Sequence, residues 1–137
     1  MSPTPQEIFQ RYVHAGPLSR DPDALAETFT EDGVFEAPLQ PDGATLPRRI
    51  VGREAIRTAM AAYYARSPKG GRAPNFARSA AVLHTTADPE VFIAEIDTVF
   101  DGADGEDDEV VSLVQIFRTR DGRIAHLRDY FSPAALD

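Results

Sequence analysis

Two acidic residues in this sequence stand where an acid is costly. In the run from Glu90 to Phe100, strand alternation puts Val91, Ile93, Glu95, Asp97 and Val99 on one face and Phe92, Ala94, Ile96, Thr98 and Phe100 on the other. In the run from Arg123 to Phe131, Ala125, Leu127, Asp129 and Phe131 share a face against Ile124, His126, Arg128 and Tyr130. Asp97 and Asp129 are thus each set among apolar neighbours. A carboxylate taken out of water either takes up a proton at a raised pKa or collects hydrogen-bond donors. In both cases it is a candidate for proton transfer. The plainer reading makes these acids rim residues or structural ion-pair partners, and alternation alone leaves both open.

The partners of Asp129 depend on the last hairpin. A two-residue Asp121-Gly122 loop would set Asp129 on the face of Val114 and Ile116, whereas a three-residue Arg120-Asp121-Gly122 loop pairs it with Leu113 and Gln115. The three-residue loop is preferred, since glycine at its last position suits a left-handed backbone, and Gln115 would then share the face of Asp129. Tyr12 is a further candidate donor, although it shares a helical face with Ile8 and Phe9 and could equally be a core residue with a satisfied hydroxyl. His14, His84 and His126 have no metal-ligand spacing, so no metal and no cofactor is expected. Glu36 is expected to point away from the Phe35 and Ala37 face, and the acidic run Asp101 to Glu109 reads as a solvated loop.

Helices and then strands must position these groups. Ile8, Phe9, Tyr12 and Val13 recur at helical spacing from Pro5 to Ala15, and Gly16-Pro17 stops the pattern. Asp21 and Pro22 open a short second helix that is expected to end near Thr30. A brief strand from Gly33 to Pro38 is followed by a loop from Leu39 to Arg49, expected over the mouth of a pocket. Gly52 opens a third helix with Ile56, Ala59, Met60, Tyr63 and Tyr64 on one face, broken at Ser67-Pro68 and followed by a Lys69-Gly70-Gly71 link. Four strand-like runs complete the chain: Phe76 to Thr85, Glu90 to Phe100, Glu109 to Thr119, and Arg123 to Phe131. This order is the mark of an α+β fold.

Composition narrows the function. A length of 137 residues suits one domain with a real core, and the lack of cysteine excludes thiol chemistry. A net charge of -8 with scattered basic residues argues against nucleic acid as a partner. No apolar run approaches the length needed to span a bilayer, and Met1 to Glu7 does not read as a signal peptide, so a cytoplasmic protein with no membrane partner is expected.

Several segments resemble the SnoaL-like and ketosteroid-isomerase-like proteins of the nuclear-transport-factor-2-like superfamily. They are Phe9-Gln10-Arg11-Tyr12-Val13, Phe29-Thr30-Glu31-Asp32-Gly33-Val34-Phe35, Gly52-Arg53-Glu54-Ala55-Ile56-Arg57, Asp121-Gly122-Arg123-Ile124 and Arg128-Asp129-Tyr130-Phe131. The resemblance covers nearly the whole chain, residues 1–137, as one domain. It implies a cone-shaped α+β barrel in which three N-terminal helices pack on a strongly curved, mostly antiparallel sheet. Tyr12 resembles the oxyanion-hole tyrosine of ketosteroid isomerases, and Gln115 falls where their protonated aspartic acid donates a hydrogen bond. The position of their general base is Ala37. Asp97 and Asp129 resemble the two aspartates of limonene-epoxide hydrolases, with Glu95 in place of the arginine and Phe35 and Ala37 in place of the water-binding residues. The turn Thr86 to Phe92 is similar to the phenazine-biosynthesis branch.

Together these readings predict an apolar cavity lined by Phe35, Ile56, Met60, Tyr63, Ile93, Glu95, Leu113, Phe117 and Leu127, holding Asp129, Asp97, Tyr12 and Gln115 as the catalytic set. Its ligand is a small hydrophobic molecule. Phe92, Ile96 and Phe100 are expected on the outer sheet face, where they would form a homodimer, as the resemblance also implies. Two functions follow: a cofactor-independent isomerase or polyketide-cyclase type enzyme, or a binding or association domain without turnover. Epoxide-hydrolase-like and phenazine-biosynthesis-like enzymes are further alternatives.

Overall fold

The computed structural model of the protein describes residues 3–66 and 73–133. Helix α1 (Pro5–Val13) begins at Thr4, whose hydroxyl accepts from the Glu7 amide at 3.2 Å while the Glu7 carboxylate accepts from the Thr4 amide at 3.1 Å. This reciprocal pair satisfies two amides that a helix start leaves without partners. Ile8, Phe9 and Tyr12 form its buried face. The chain does not stop at Gly16-Pro17 as predicted but continues in one wide π-type turn, His14–Leu18. Arg20 closes this turn with a φ of 50° and an amide that donates to the Gly16 carbonyl at 2.7 Å. Gly16 packs closely, since a Cβ there would meet the Tyr64 hydroxyl at 3.0 Å and Leu25 Cδ1 at 3.1 Å.

Helix α2 (Pro22–Glu27) is capped by Asp21, which accepts from the amides of Asp23 and Ala24 at 3.0 and 3.1 Å. It ends before Thr30, because Phe29 is fully buried and already pairs with Ile124 as the first residue of β1 (Phe29–Glu36). The Leu39 to Arg49 segment is a loop except at its end, where β2 (Arg49–Val51) pairs antiparallel with β1. Helix α3 (Arg53–Tyr64) buries Ile56 and Met60. The predicted break at Ser67-Pro68 and the Lys69-Gly70-Gly71 link lie outside the described residues. No described helix is long and apolar enough to cross a membrane.

Strands β3 (Pro74–Thr85), β4 (Val91–Phe100), β5 (Glu109–Arg120) and β6 (Arg123–Tyr130) complete a six-stranded sheet of order β2-β1-β6-β5-β4-β3. The β1–β6 pair is parallel and the other pairs are antiparallel. Three helices therefore lie against one face of a curled, mostly antiparallel sheet, the cone-shaped α+β architecture predicted above.

Phe117 is the hub of the core. Its ring is fully buried, stacks on Phe92 at 4.7 Å, and takes the edges of Phe9 at 5.9 Å and Tyr12 at 5.5 Å. Aromatic pairs of this kind each add about 0.5–1.5 kcal/mol beyond the area they bury. They tie α1 to the middle of the sheet.

This packing overturns the expected facing of β4. Phe92 pairs with Phe117, Ala94 with Gln115 and Ile96 with Leu113, and directly opposed residues project to the same side. Phe92 and Ala94 are therefore core residues, while Ile96 and Phe100 turn inward beside them. Ile93, Glu95 and Asp97 face outward, so the apolar outer patch that motivated the homodimer is not made of Phe92, Ile96 and Phe100. The outer face instead exposes Val82, Val110 and Val114 among charged neighbours.

The last hairpin corrects a second expectation. Arg120 pairs with Arg123, leaving a two-residue turn at Asp121 and Gly122 with φ of 53° and 79°. Positive φ at both positions matches the tight turns that suit strand twist. Gln115 nevertheless pairs with Asp129, because the register shifts between Arg118 and Thr119 and Ala125 is inserted as the extra residue of a bulge.

Candidate functional site

Between α1, α3 and the inner sheet face lies a cavity of about 560 Å³. That volume is in the range of small-molecule sites. Its inner end is built by β5, β6 and α1. The β5–β6 register brings Gln115 opposite Asp129, and the Gln115 amide Nε2 donates to Asp129 Oδ2 at 3.1 Å. Asp129 Oδ1 and Gln115 Oε1 have no protein partner among the described residues. Both side chains line the cavity and both residues are buried.

Burial pushes the Asp129 carboxyl up from 3.8 to about 7, against the opposing effect of the Gln115 hydrogen bond. The apolar surroundings disfavour the charged form more than one amide donor favours it. Tyr12 is raised well above 10, first by burial and then by the nearby Asp129 and Tyr64, with the Gln115 amide acting in the opposite direction. A tyrosine so placed keeps its proton at neutral pH and remains a hydrogen-bond donor.

The outer end of the cavity is marked by exposed lining residues, Leu18 at 50% and Phe76 at 39% exposure. Thr45 and Leu46 of the 39–49 loop, Tyr63, Tyr64, Arg20 and Arg66 also line the cavity. The Arg20 guanidinium stands over the Tyr64 ring at 5.0 Å, and its Nη2 donates to the carbonyls of Tyr64 at 3.0 Å and Arg66 at 2.9 Å. Arg66 donates to the Thr45 hydroxyl, joining α3 to the loop.

The expected site residues separate into three groups. Tyr12, Gln115, Asp129, Phe35, Met60, Tyr63 and Leu113 line the cavity. Ile56, Phe117 and Leu127 are fully buried behind its wall and support it without facing it. Ile93, Glu95 and Asp97 are on the opposite side of the sheet, for the register reason given above. There Asp97 accepts from the Ser112 hydroxyl at 2.6 Å and Glu95 meets His84 at 2.5 Å. Asp97 is therefore not part of the pocket with Asp129. Glu36 points outward as expected, paired with His126 and, at 3.4 Å, with Arg49. No three carboxylate and imidazole groups gather into a metal-binding cluster among the described residues.

Sequence reasoning missed Arg20, Arg66, Tyr64, Ile96 and Phe100 as lining residues. Tyr64 had a signal, since it follows Met60 by one helical turn. Arg20 had none, because only tertiary packing brings the end of the π-type turn against the end of α3.

The arrangement can hold an apolar molecule against one buried carboxyl and one neutral phenol. Comparison with known proteins agrees with the architecture. The uncharacterised protein YesE from Bacillus subtilis (strain 168) is 33% identical over 121 residues, covering 85% of this chain and 74% of that protein. Among solved structures, a candidate isomerase from Bacillus subtilis is 27% identical with a TM-score of 0.74, over 95% of this chain and 87% of that one. A candidate polyketide cyclase from Pseudomonas putida is 18% identical with a TM-score of 0.64, over 96% of this chain and 93% of that one. The SnoaL-like domain family matches residues 9–127, and with its fold and pocket in place the chain belongs to that family.

Proposed function

We propose that the chain is a cofactor-independent acid-base enzyme that moves a proton next to a carbonyl in a hydrophobic metabolite. The observation that carries this reading is the buried Asp129 carboxyl, raised to about 7 and held by a single amide, with Oδ1 unpartnered on the cavity side of the sheet. A group that titrates near neutral pH is matched to proton transfer there. Oδ1 accepts the proton from the carbon beside the carbonyl, and the electron pair of that bond moves to the carbonyl oxygen as an enolate forms. The Tyr12 hydroxyl and the second N–H of Gln115 donate to that oxygen. Asp129 then returns its proton to another carbon in an isomerisation. In a cyclisation, the enolate carbon bonds to a second carbonyl carbon and the proton goes to the resulting alkoxide. The isomerase and polyketide-cyclase descriptions of the similar structures support this class of reaction.

The test needs no knowledge of the physiological substrate. 2-Tetralone is an apolar bicyclic ketone whose α-hydrogens exchange in D2O, and NMR follows the exchange. The protein is expected to accelerate it, and Asp129→Asn to lower the protein-dependent rate by about a hundred- to ten-thousand-fold. Exchange that is indifferent to this substitution rejects the mechanism.

One observation favours a second reading, ligand binding without turnover. Asp129 is the one carboxylate among the described cavity-lining residues, so no second acid is at hand to share the proton. Saturable binding of 2-tetralone with no acceleration of exchange would select that reading.

A further inference from the structure

The cavity is polarised along its length. Its buried end presents Asp129, Gln115 and Tyr12, while its open end presents Arg20 and Arg66. The two arginines line the cavity, which the ion-paired arginines do not. Elsewhere Arg48 pairs with Asp42, Arg57 with Asp23, Glu27 and Glu54, Arg78 with Asp101 and Asp108, and Arg120 with Asp32. No carboxylate among the described residues pairs with Arg20 or Arg66.

Arg20 is also held in place before any ligand arrives. Its backbone adopts a φ of 50°, a conformation disfavoured for a side-chain-bearing residue. Its Nη2 is committed to two carbonyls and its guanidinium lies against the Tyr63 and Tyr64 rings at 5.9 and 5.0 Å. Nε and Nη1 have no partner among the described residues, which leaves two separate single donors, on different edges, on a cavity-lining cation. Capping the carbonyl end of α3 explains the use of Nη2 and leaves the other two nitrogens unexplained. The Tyr63 hydroxyl reports all three charges at once: burial raises its pKa, Asp129 raises it further, and Arg20 and Arg66 oppose. Asp129, Arg20 and Arg66 all line the same cavity.

We propose that the substrate is an organic acid, with an apolar ring body, a carbonyl placed at the Asp129 end, and a carboxylate held at the mouth by Arg20 and Arg66. A carboxylate can accept one N–H from each arginine, and such charge-assisted bonds are the strong ones. An amine would be repelled by the same pair. The opposed charges also set direction, since a carboxylate turned inward would meet Asp129. This names the substrate class for the acid-base reading above and rests on it for the carbonyl end alone.

The probes are 6-carboxy-2-tetralone and its 6-carboxamide, equal in shape and different in charge. Their dissociation constants are measured by calorimetry on the full chain at pH 8. The acid is expected to bind about ten- to a hundredfold more tightly than the amide, the range of a hydrogen bond to a charged group. That preference should fall below about threefold in Arg66→Gln combined with Arg20→Gln, while the amide's affinity stays within about threefold of the original. Arg66→Gln alone, an exposed change, should remove part of the preference even if Arg20 substitutions disturb folding. Equal binding of acid and amide by the unaltered protein overturns the inference, and so does a preference that survives Arg66→Gln undiminished. The two proposals fail separately. Loss of 2-tetralone exchange in Asp129→Asn with no preference for the acid keeps the mechanism and removes the inference. A clear preference for the acid with no exchange keeps the inference about the mouth and removes the mechanism.

Discussion

Gln115 stands directly opposite Asp129 across the β5–β6 ladder and donates to one of its carboxylate oxygens at 3.1 Å. That single bond is what the folded chain supplies to offset the burial of the charge. It holds Oδ2 and leaves Oδ1 buried without a partner among the described residues. The behaviour of this pair makes the candidate site open to test.

If ionised Asp129 is the base, exchange of 2-tetralone should rise with pH along a curve with its midpoint at about 7. Gln115→Leu removes the one bond that favours the carboxylate, so the midpoint should move upward. A hydrogen bond to a charged group is worth about 1.5–3 kcal/mol, which corresponds to about one to two pH units. A rate profile recorded from pH 5 to 9 checks both statements, and a downward shift contradicts them.

The same carboxyl makes stability depend on pH. Its folded pKa of about 7 exceeds the ordinary 3.8, so it binds a proton more readily folded than unfolded. Its contribution is fully present below about pH 4, declines as pH rises, and is lost above about 7. A rise of about three pH units is worth about 4 kcal/mol. Asp129→Asn is neutral at every pH and should match the natural protein at pH 4 while exceeding its stability at pH 8.5 by up to about that amount. Urea unfolding at the two pH values measures the difference, and equal stability at pH 8.5 contradicts the buried, raised carboxyl.

Asp97→Asn should be silent. Its side chain is on the outer sheet face, bonded to the Ser112 hydroxyl at 2.6 Å in an exposed setting. The change is expected to alter stability by less than about 0.5 kcal/mol and to leave tetralone exchange unchanged. A large loss of exchange would return Asp97 to the reacting group and contradict the β4 register.

Phe117→Ala removes the ring on which α1 and β4 meet. Aromatic truncations of this kind cost about 3–5 kcal/mol. The thermal midpoint should drop by several degrees or more, and 2-tetralone binding should weaken as Tyr12 loses the ring edge that fixes it at 5.5 Å. Calorimetric melting with a parallel binding titration provides the check.

Local chemistry made much of this molecule legible in advance. Asp21 announces a helix start because a capping side chain must lie next to the amides it serves. The inward face of β6 could be read because Leu127, Asp129 and Phe131 alternate with residues as polar as His126 and Arg128. That Gln115 and Asp129 share a face was expected as well, although through a three-residue loop; their direct pairing was not. The chain reaches it by a two-residue turn and a bulge at Ala125, an insertion that leaves no mark in residue type.

Tertiary structure decided the rest. Both faces of β4 carry apolar side chains, so alternation could sort its residues into two sets without saying which set is buried. That choice is made by the β4–β5 register, and the acidic loop from Asp101 to Asp108 is too long to impose one locally. Stacking Phe92 on Phe117 settles it, and with it the removal of Asp97 from the pocket. The charged mouth has the same origin, since Arg20 meets Tyr64 and Arg66 across 44 and 46 residues of sequence. Caps, periodicity and tight turns act between near neighbours and are written in residue order. Facing and long-range contact depend on which surfaces pack together, and that is decided when the whole chain folds.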